Sequence, residues 1–541
     1  MENSRNWPEI VAEKDARIAE LEALVKFYEE QFKLSKSRQF GPSSEKGDLP
    51  EQLGLFDEGE NTAGPNAPEP ELERIAYIRR KRVGKREEDL SGLPVEAIEH
   101  KLPEEERICP ECNGPLHQMG HDVRRELKIV PAKVVVVEHN RAVYSCRNCE
   151  KNSEGGVPVV KAPTPEPLIK GGLASPSAMA HIMTQKYVMY APLYRQEKDW
   201  ERQGVALSRQ TMANWVIRCS EDWLRPIYDR MRIKLLENEV LHADETKVQV
   251  LKEPGKAATA LSYMWVYRTS GDTTRHIVVF EYQPSRHSDH PKRFLADFKG
   301  FLHCDGYAGY HTLLEITIIG CWTHMRRKFT DALKVIPMAE RPASAAETAI
   351  KRIGRLFHLE DQWEGLAPEE RHRRRLEESR PKAREFFAWL ETLMVLPKSA
   401  IGKAVNYALE QKERLMNVYL DGRAEISNNR AENAIRPFAV GRRNWLFCNT
   451  VNGANASATT YSIIETAKAN GLKPFDYLEF LFETVPNTAT GEALDSLLPW
   501  GEAVPEHCRM PVKEWGARRN AEKKRNGIYD VVCPEVSRRG A

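Results

Sequence analysis

With 541 residues, 41% of them hydrophobic, the chain can bury the cores of several domains, and a small peptide-like scaffold is excluded. Its 80 basic and 78 acidic residues leave a formal net charge of +2, so the positive charge is local, in runs such as Arg79–Arg82 and Arg371–Arg375. No apolar stretch approaches the roughly 20 residues that cross a bilayer, and the Met1–Arg5 start lacks a signal-peptide core, so a soluble, cytoplasmic protein without a membrane partner is expected.

At the N-terminus, Val11, Ile18, Leu21, Val25, Tyr28 and Phe32 repeat at the spacing of a coiled-coil seam, which over residues 1–48 predicts self-association into a homo-oligomer. A single amphipathic helix lying on its own domain has the same pattern. Residues 57–70 are acidic and rich in Gly, Pro and Asn, a composition that builds no core; with the basic stretch Arg74–Arg86 they make residues 49–100 a linker.

Two Cys-x-x-Cys pairs follow within residues 101–165. Cys109, Cys112, Cys146 and Cys149 supply four thiolates, which suit the tetrahedral preference of zinc in a reducing compartment and close its coordination shell against catalysis. The run Val134–Val137 between the pairs predicts a strand of a hairpin. The zinc module is therefore expected to serve folding or DNA binding.

Residues 166–232 read as helical. Gly204 interrupts them, and Ser208 is suited to cap a helix that buries Met212, Trp215 and Val216 while presenting Arg209, Gln210 and Asn214. This is the layout of a helix-turn-helix DNA reader, although helix pairs joined at a glycine also occur in plain bundles.

From residue 233 to about 460 the pattern changes. Val240–Leu251, Tyr263–Arg268 and His276–Tyr282 read as antiparallel strands, and Phe301–Cys304 and Ile316–Cys321 as strands added in parallel around a short helix. That order is the order of a ribonuclease H-like fold, and the residues that follow it, 343–424, are charged and helical throughout. The fold class expected is thus multidomain α/β.

Three acids in this core carry the chemical expectation. Asp244 lies in the first strand with His242, Val248 and Val250 on its face, while alternation turns Glu245 to the other side. Asp305 leaves the run Phe301–Cys304 before Gly306, where a carboxylate emerges from a sheet toward a cleft. Glu432 follows Ser427-Asn428-Asn429 on a short capped helix expected to end near Pro437. Each alone suits a turn or a solvated surface. Together they can converge on hard divalent cations, Mg2+ or Mn2+, which take oxygen ligands and promote in-line phosphodiester displacement. Arg326, Arg327 and Lys328 beside His324, and Arg436, Arg442 and Arg443 with Trp445, are the phosphate and base contacts expected around such a site. His324 suits a core or stacking position as well as a direct catalytic one.

At these residues the sequence resembles the large transposase of the insertion sequence 66 family. Matching segments are Phe40–Lys46 with Gln52–Phe56, the cysteine pairs, Pro192–Gln196, His242–Thr246, Asp305–Tyr310, Gly320–Phe329, Asn428–Asn433 with Arg436-Pro437, Glu465–Gly471 and Leu498–Trp500. The resemblance implies an Asp-Asp-Glu triad at Asp244, Asp305 and Glu432, cutting and joining of DNA at terminal inverted repeats and at a target, and accessory proteins encoded by the same element. It also implies a catalytic core interrupted by a helical insertion, here near residues 335–425, and a bacterial protein that is nucleoid-associated when bound to DNA. Residues 461–500 correspond to the family's C-terminal segment; 501–541 are a basic tail with no recognised match. A zinc and helix-turn-helix regulator with an inactive core, and a metal-dependent nuclease that does not join, remain the alternatives.

Overall fold

The computed structural model describes residues 133–145, 159–164 and 166–511. The coiled-coil expectation for residues 1–48, the linker, the four cysteines of the zinc module and the tail beyond 511 lie outside the described residues. The chain divides into two compact units, residues 1–58 with 165–510 and residues 59–164 with 511–541.

Within the second unit, β1 (Val143–Ser145) and β2 (Val159–Lys161) pair antiparallel, with Tyr144 opposite Val160. The run Val134–Val137 is exposed and not a strand, which corrects the sequence expectation. Valine favours strands only where a partner ladder is present, and among the described residues the pairing falls to 143–145.

The first unit opens with α1 (Pro176–Tyr187), α2 (Leu193–Arg202), α3 (Arg209–Cys219) and α4 (Arg225–Leu236). Hydroxyl caps set the starts: Ser175 accepts from the amide of Ala178, and Ser208 from that of Thr211. Gly204, at φ +82°, makes the turn between α2 and α3 that residues with a Cβ resist. As expected, α3 buries Met212, Trp215 and Val216.

The chain then enters the sheet. β3 (Val240–Lys252), β4 (Leu261–Thr269) and β5 (Val278–Gln283) form antiparallel neighbours, followed by α5 (Asp289–Phe294); β6 (Phe301–Cys304) joins β3 in parallel, and β7 (Thr317–Gly320) joins β6 in parallel. The order is β5-β4-β3-β6-β7. Val240, Leu241, His242 and Ala243 are all buried, as a central strand covered on both faces requires.

After β7 come α6 (Trp322–Lys334) and the helices expected over 335–425: α7 (Ala345–Gln362), α8 (Pro368–Arg374), α9 (Arg380–Glu391), α10 (Ala400–Glu410) and α11 (Lys412–Met416). They build a core of their own, in which Trp322, Met325 and Phe329 of α6 pack with Ile353, Phe386, Phe387 and Ala408. The Trp322 indole N–H donates to the carbonyl of Leu415 at 2.9 Å. Arg375, buried, is held by Glu360 through two bonds of 2.8 and 2.6 Å and by the Asp421 carbonyl, so its charge is paired.

The chain returns through α12 (Asn429–Trp445), β8 (Cys448–Thr450), which pairs with the far end of β3, α13 (Val451–Ala469) and α14 (Pro474–Thr484). Two expectations are corrected here. Helix α12 runs on through Pro437 instead of ending there. Proline removes one helical hydrogen bond, and burial of Ala434, Ile435 and Phe438 around it holds the next turns in line. In addition, α13 crosses position 460, and residues up to Met510 fold onto the body: the Lys473 amide donates to Cys508 and the Met510 amide to Gly471, both at 2.7 Å.

Strand β5 is a sheet edge, and α13 covers it. The amide of Phe280 donates to the Ser462 hydroxyl at 2.7 Å, and that of Val278 to the Thr466 hydroxyl at 3.0 Å, while Thr466 donates back to the Val278 carbonyl. Small hydroxyl residues thus let a nearly all-buried helix satisfy an edge. Thr466→Val keeps the volume but orphans both Val278 groups, so it should cost about 1–3 kcal/mol, read as a lower urea midpoint at unchanged slope; an unchanged midpoint would refute this role.

Candidate active site

The register of β3 and β6 pairs Val240 with Phe301, Leu241 with Leu302 and His242 with His303. Two positions beyond that last rung stand Asp244 and Asp305, so the two acids leave neighbouring strands at one level, where parallel strands lie about 4.8 Å apart. β7, paired with β6 through Cys304 and Gly320, delivers Cys321 and the start of α6 to the same end of the sheet. Asp305 is fixed by a turn in which its Oδ1 accepts the Tyr307 amide at 2.9 Å.

Asn428 brings in the third acid. Its side chain, fully buried, makes no cap for α12; instead Nδ2 donates to the Ala243 carbonyl at 2.8 Å and Oδ1 accepts from His242 Nδ1 at 3.0 Å. Its own amide donates to the Cys321 sulfur at 3.2 Å. One residue therefore ties the start of α12 to β3 and to the start of α6. Glu432 stands one turn along, its amide bonded to the Asn428 carbonyl at 3.2 Å. From the sequence Asn428 is expected only at the capped start of the Glu432 helix, and its reach to β3 is not; an Asn that precedes a helix and has a buried histidine to answer was the signal available.

Beneath the acids, His242 and His303 stack at 4.3 Å with rings 10° from parallel. Burial pushes His242 down to about 3, and His303 is likewise held well below its ordinary value by burial and by His242. Both are neutral at physiological pH, which lets His242 donate from Nδ1 and His303 Nε2 accept the Glu425 amide at 2.9 Å.

The acids themselves repel. Burial, and then the charges of Glu245, Asp305 and Glu432, push the Asp244 carboxyl well above the usual carboxylate range. Glu245 is raised too, by burial and by Asp305, with Arg286 and Tyr310 opposing. Glu245 does turn from Asp244 as alternation requires, but it is not remote from the site, and the sequence expectation is corrected on this point. It accepts from Tyr310 Oη and from Arg286 Nε, both at 2.7 Å, and the same guanidinium lies 3.9 Å from Asp305 and 3.9 Å from the Tyr307 ring centre. β6 ends at Cys304, so the loops carrying Arg286 and Tyr307–Tyr310 close over this stretch of β3 and couple its two faces.

The expected DNA contacts divide into two sets. Arg209, Gln210 and Asn214 are exposed along α3, with the Arg209 guanidinium 5.7 Å from the Tyr194 ring. His324 Nδ1 lies 3.6 Å and Arg327 3.7 Å from the Glu432 carboxylate, while Arg326 and Arg436 are half-buried and Arg443 is exposed. Two side chains are differently employed. Arg442 bonds Thr246 Oγ1 and the Lys247 carbonyl of β3, and Trp445 packs edge-on against Phe438 with Lys186 over its ring. Their place on the inward side of a helix that continues past Pro437 turns them into packing groups.

Over residues 171–456 the chain matches the model of the transposase IS66 family. It also matches, over 106–150, the zinc-finger binding domain of transposase IS66; over 462–500, the IS66 C-terminal element; and over 28–98, a model described as transposase C of IS166 homeodomain. The chain belongs to the transposase IS66 family. This IS66 transposase is 31% identical over 513 residues to the uncharacterized protein y4qI of Sinorhizobium fredii, covering 90% of this chain and 92% of the relative. Protein y4jD of the same organism is 31% identical over 73% of this chain and 78% of its own length. By these family matches the present chain is the transposase of an insertion sequence, with DNA as its partner, and its zinc-finger region contains Cys109, Cys112, Cys146 and Cys149. Among the described residues of the IS66 transposase no helix is long and apolar enough to cross a membrane.

A carboxyl whose folded value is raised adds stability below its unfolded value and loses it as pH rises through the folded one. Asp244 and Glu245 should therefore strain the folded state at pH 7.5 when no divalent cation is present. In chelator, Asp244→Asn should raise the unfolding temperature, and added Mg2+ should narrow the gap. Thermal unfolding checks both; a variant less stable than the parent in chelator would contradict the reading.

Proposed function

We propose that this transposase cuts and joins DNA at a ribonuclease H-like core with Asp244, Asp305 and Glu432 as its catalytic carboxylates. The observation that supports this best is the convergence of the three acids on Asp244, from two adjacent strands and a helix clamped to them. Three antiparallel strands followed by two parallel ones, with helices between, is the strand order the ribonuclease H-like reading asks for. A partly buried cluster of carboxylates whose charges push Asp244 up, with Arg286 as a partial counter-charge, fits a hard divalent cation with oxygen ligands. Asp244, Asp305 and Glu432 would hold Mg2+ or Mn2+, which when bound supplies charge for activating a water or 3′-hydroxyl and stabilising the leaving oxygen.

The protein's own groups orient the reactants. Arg327, beside Glu432, is placed to hold the scissile phosphate, and α3 with Arg209, Gln210 and Asn214 to read the element ends. Four thiolates at Cys109, Cys112, Cys146 and Cys149 would bind a structural zinc. Residues 1–48 would pair copies of the chain into an oligomer, and proteins encoded by the same element would assist. The domain limits given above are proposed again, except that α13 and the residues up to Met510 belong with the folded body. A cytoplasmic, nucleoid-associated location belongs to the same reading.

Asp244→Asn, Asp305→Asn and Glu432→Gln should each abolish Mg2+-dependent cleavage and strand transfer on element-end DNA while binding persists and falls with salt. Glu245→Gln, which loosens Arg286 and through it Asp305, should lose about 10- to 100-fold, the range of groups that orient metal ligands. Full activity in any triad variant would refute the assignment, and cleavage without strand transfer in the parent would leave a nuclease.

A further inference from the structure

Glu432 also faces a second set of potential ligands. Cys321, His324 and Glu432 offer a thiol sulfur, an imidazole nitrogen and a carboxylate oxygen that all lie within 4.8 Å of one another. His324 Nδ1 and Glu432 Oε1, 3.6 Å apart and too far for a hydrogen bond, are both buried and without a hydrogen-bond partner. Two orphaned polar atoms pointing at one another beside a buried sulfur are costly unless something sits between them. The framework is rigid: Cys321 and His324 lie one turn apart at the start of α6, the Cys321 sulfur is positioned by the Asn428 amide, and Trp322 and Met325 between and after them are buried in the insertion core.

We propose that Cys321, His324 and Glu432 form a site for a borderline divalent cation of the zinc class, and that its occupation withdraws Glu432 from the acid triad. The donor set decides the class. Sulfur, nitrogen and oxygen ligands suit zinc or cobalt, which take three protein ligands and an open fourth position, whereas magnesium avoids thiolate. Binding replaces the thiol proton, which leaves to solvent as the sulfur–metal bond forms. Glu432 Oε1 then belongs to the zinc-class ion, and Oε2 remains beside Arg327 at 3.7 Å. Zinc thus acts as an inhibitor that competes with the magnesium site for one carboxylate. This consequence rests on the reading of Glu432 as catalytic; the site itself does not.

The test uses the full chain with its zinc-finger metal in place, titrated with Co2+ in excess Mg2+. The wild type should take up a further equivalent of Co2+ with a sulfur-to-cobalt charge-transfer band. Cys321→Ser, whose hydroxyl still accepts the Asn428 amide, should lose that band while keeping the zinc-finger metal, and His324→Ala should bind Co2+ at least about tenfold more weakly. The ratio of cleavage rates with and without added Zn2+, taken for each variant against its own zinc-free rate, should fall in the wild type and return toward unity in Cys321→Ser. No further uptake, or an identical band in Cys321→Ser, would overturn the proposal and leave Cys321 as an acceptor for backbone amides only. Uptake that depends on Cys321 in a chain with no Mg2+-dependent cleavage would instead count against the catalytic reading of Glu432 and leave the site standing.

Discussion

The buried side-chain amide of Asn428 is the contact on which the site depends. It spends its donor on the Ala243 carbonyl and its acceptor on His242, and its backbone amide on Cys321, so a helix from beyond the insertion is pinned to the strand that carries Asp244. Each bond is worth about 1 kcal/mol net, but leaving its buried partner unpaired costs about 1–3. The helix start is therefore held in one place, and Glu432, a single turn further on, inherits that precision. The stacked neutral pair His242–His303 completes the floor, because a charged imidazole there would have neither solvent nor an acceptor for its second proton.

This arrangement explains how a long helical insertion can separate Asp305 from Glu432 in the chain without separating them in space. The insertion has its own core and its own paired buried charge, Arg375 with Glu360, and it grips the sheet through α6, whose buried face is Trp322, Met325 and Phe329. The other face of the same helix start offers His324 and Arg327 to Glu432. One helix thus serves packing on one side and faces the candidate site on the other, as amphipathic spacing allows.

Much of this was legible in the residues. Strand alternation placed Asp244 with His242, the apolar runs gave five of the six strands of the main sheet within a few residues but not the three-residue β8, and Ser208 announced α3. What sequence pattern missed follows from tertiary terms. Pro437 was read as a stop, but local propensity yields to burial on both sides of it. Val134–Val137 has strand composition, but among the described residues no strand pairs with it. Alternation told correctly which way Glu245 turns and said nothing of Arg286, which arrives from a loop some 40 residues later and links that face to Asp305. Asn428 looked like a turn residue because its two partners lie about 185 positions away. Arg442 and Trp445 had the composition of a nucleic-acid contact, and only the unbroken helix shows that they face β3 and Phe438.

If the proposed function holds, carboxylates from β3, β6 and α12 make one cation site. Anomalous diffraction from crystals of the chain soaked in Mn2+ tests it most directly. Manganese is expected in contact with oxygens of Asp244, Asp305 and Glu432 together. Manganese bound by Asp244 and Asp305 alone, with Glu432 left against His324, or manganese absent from this end of the sheet, would contradict it.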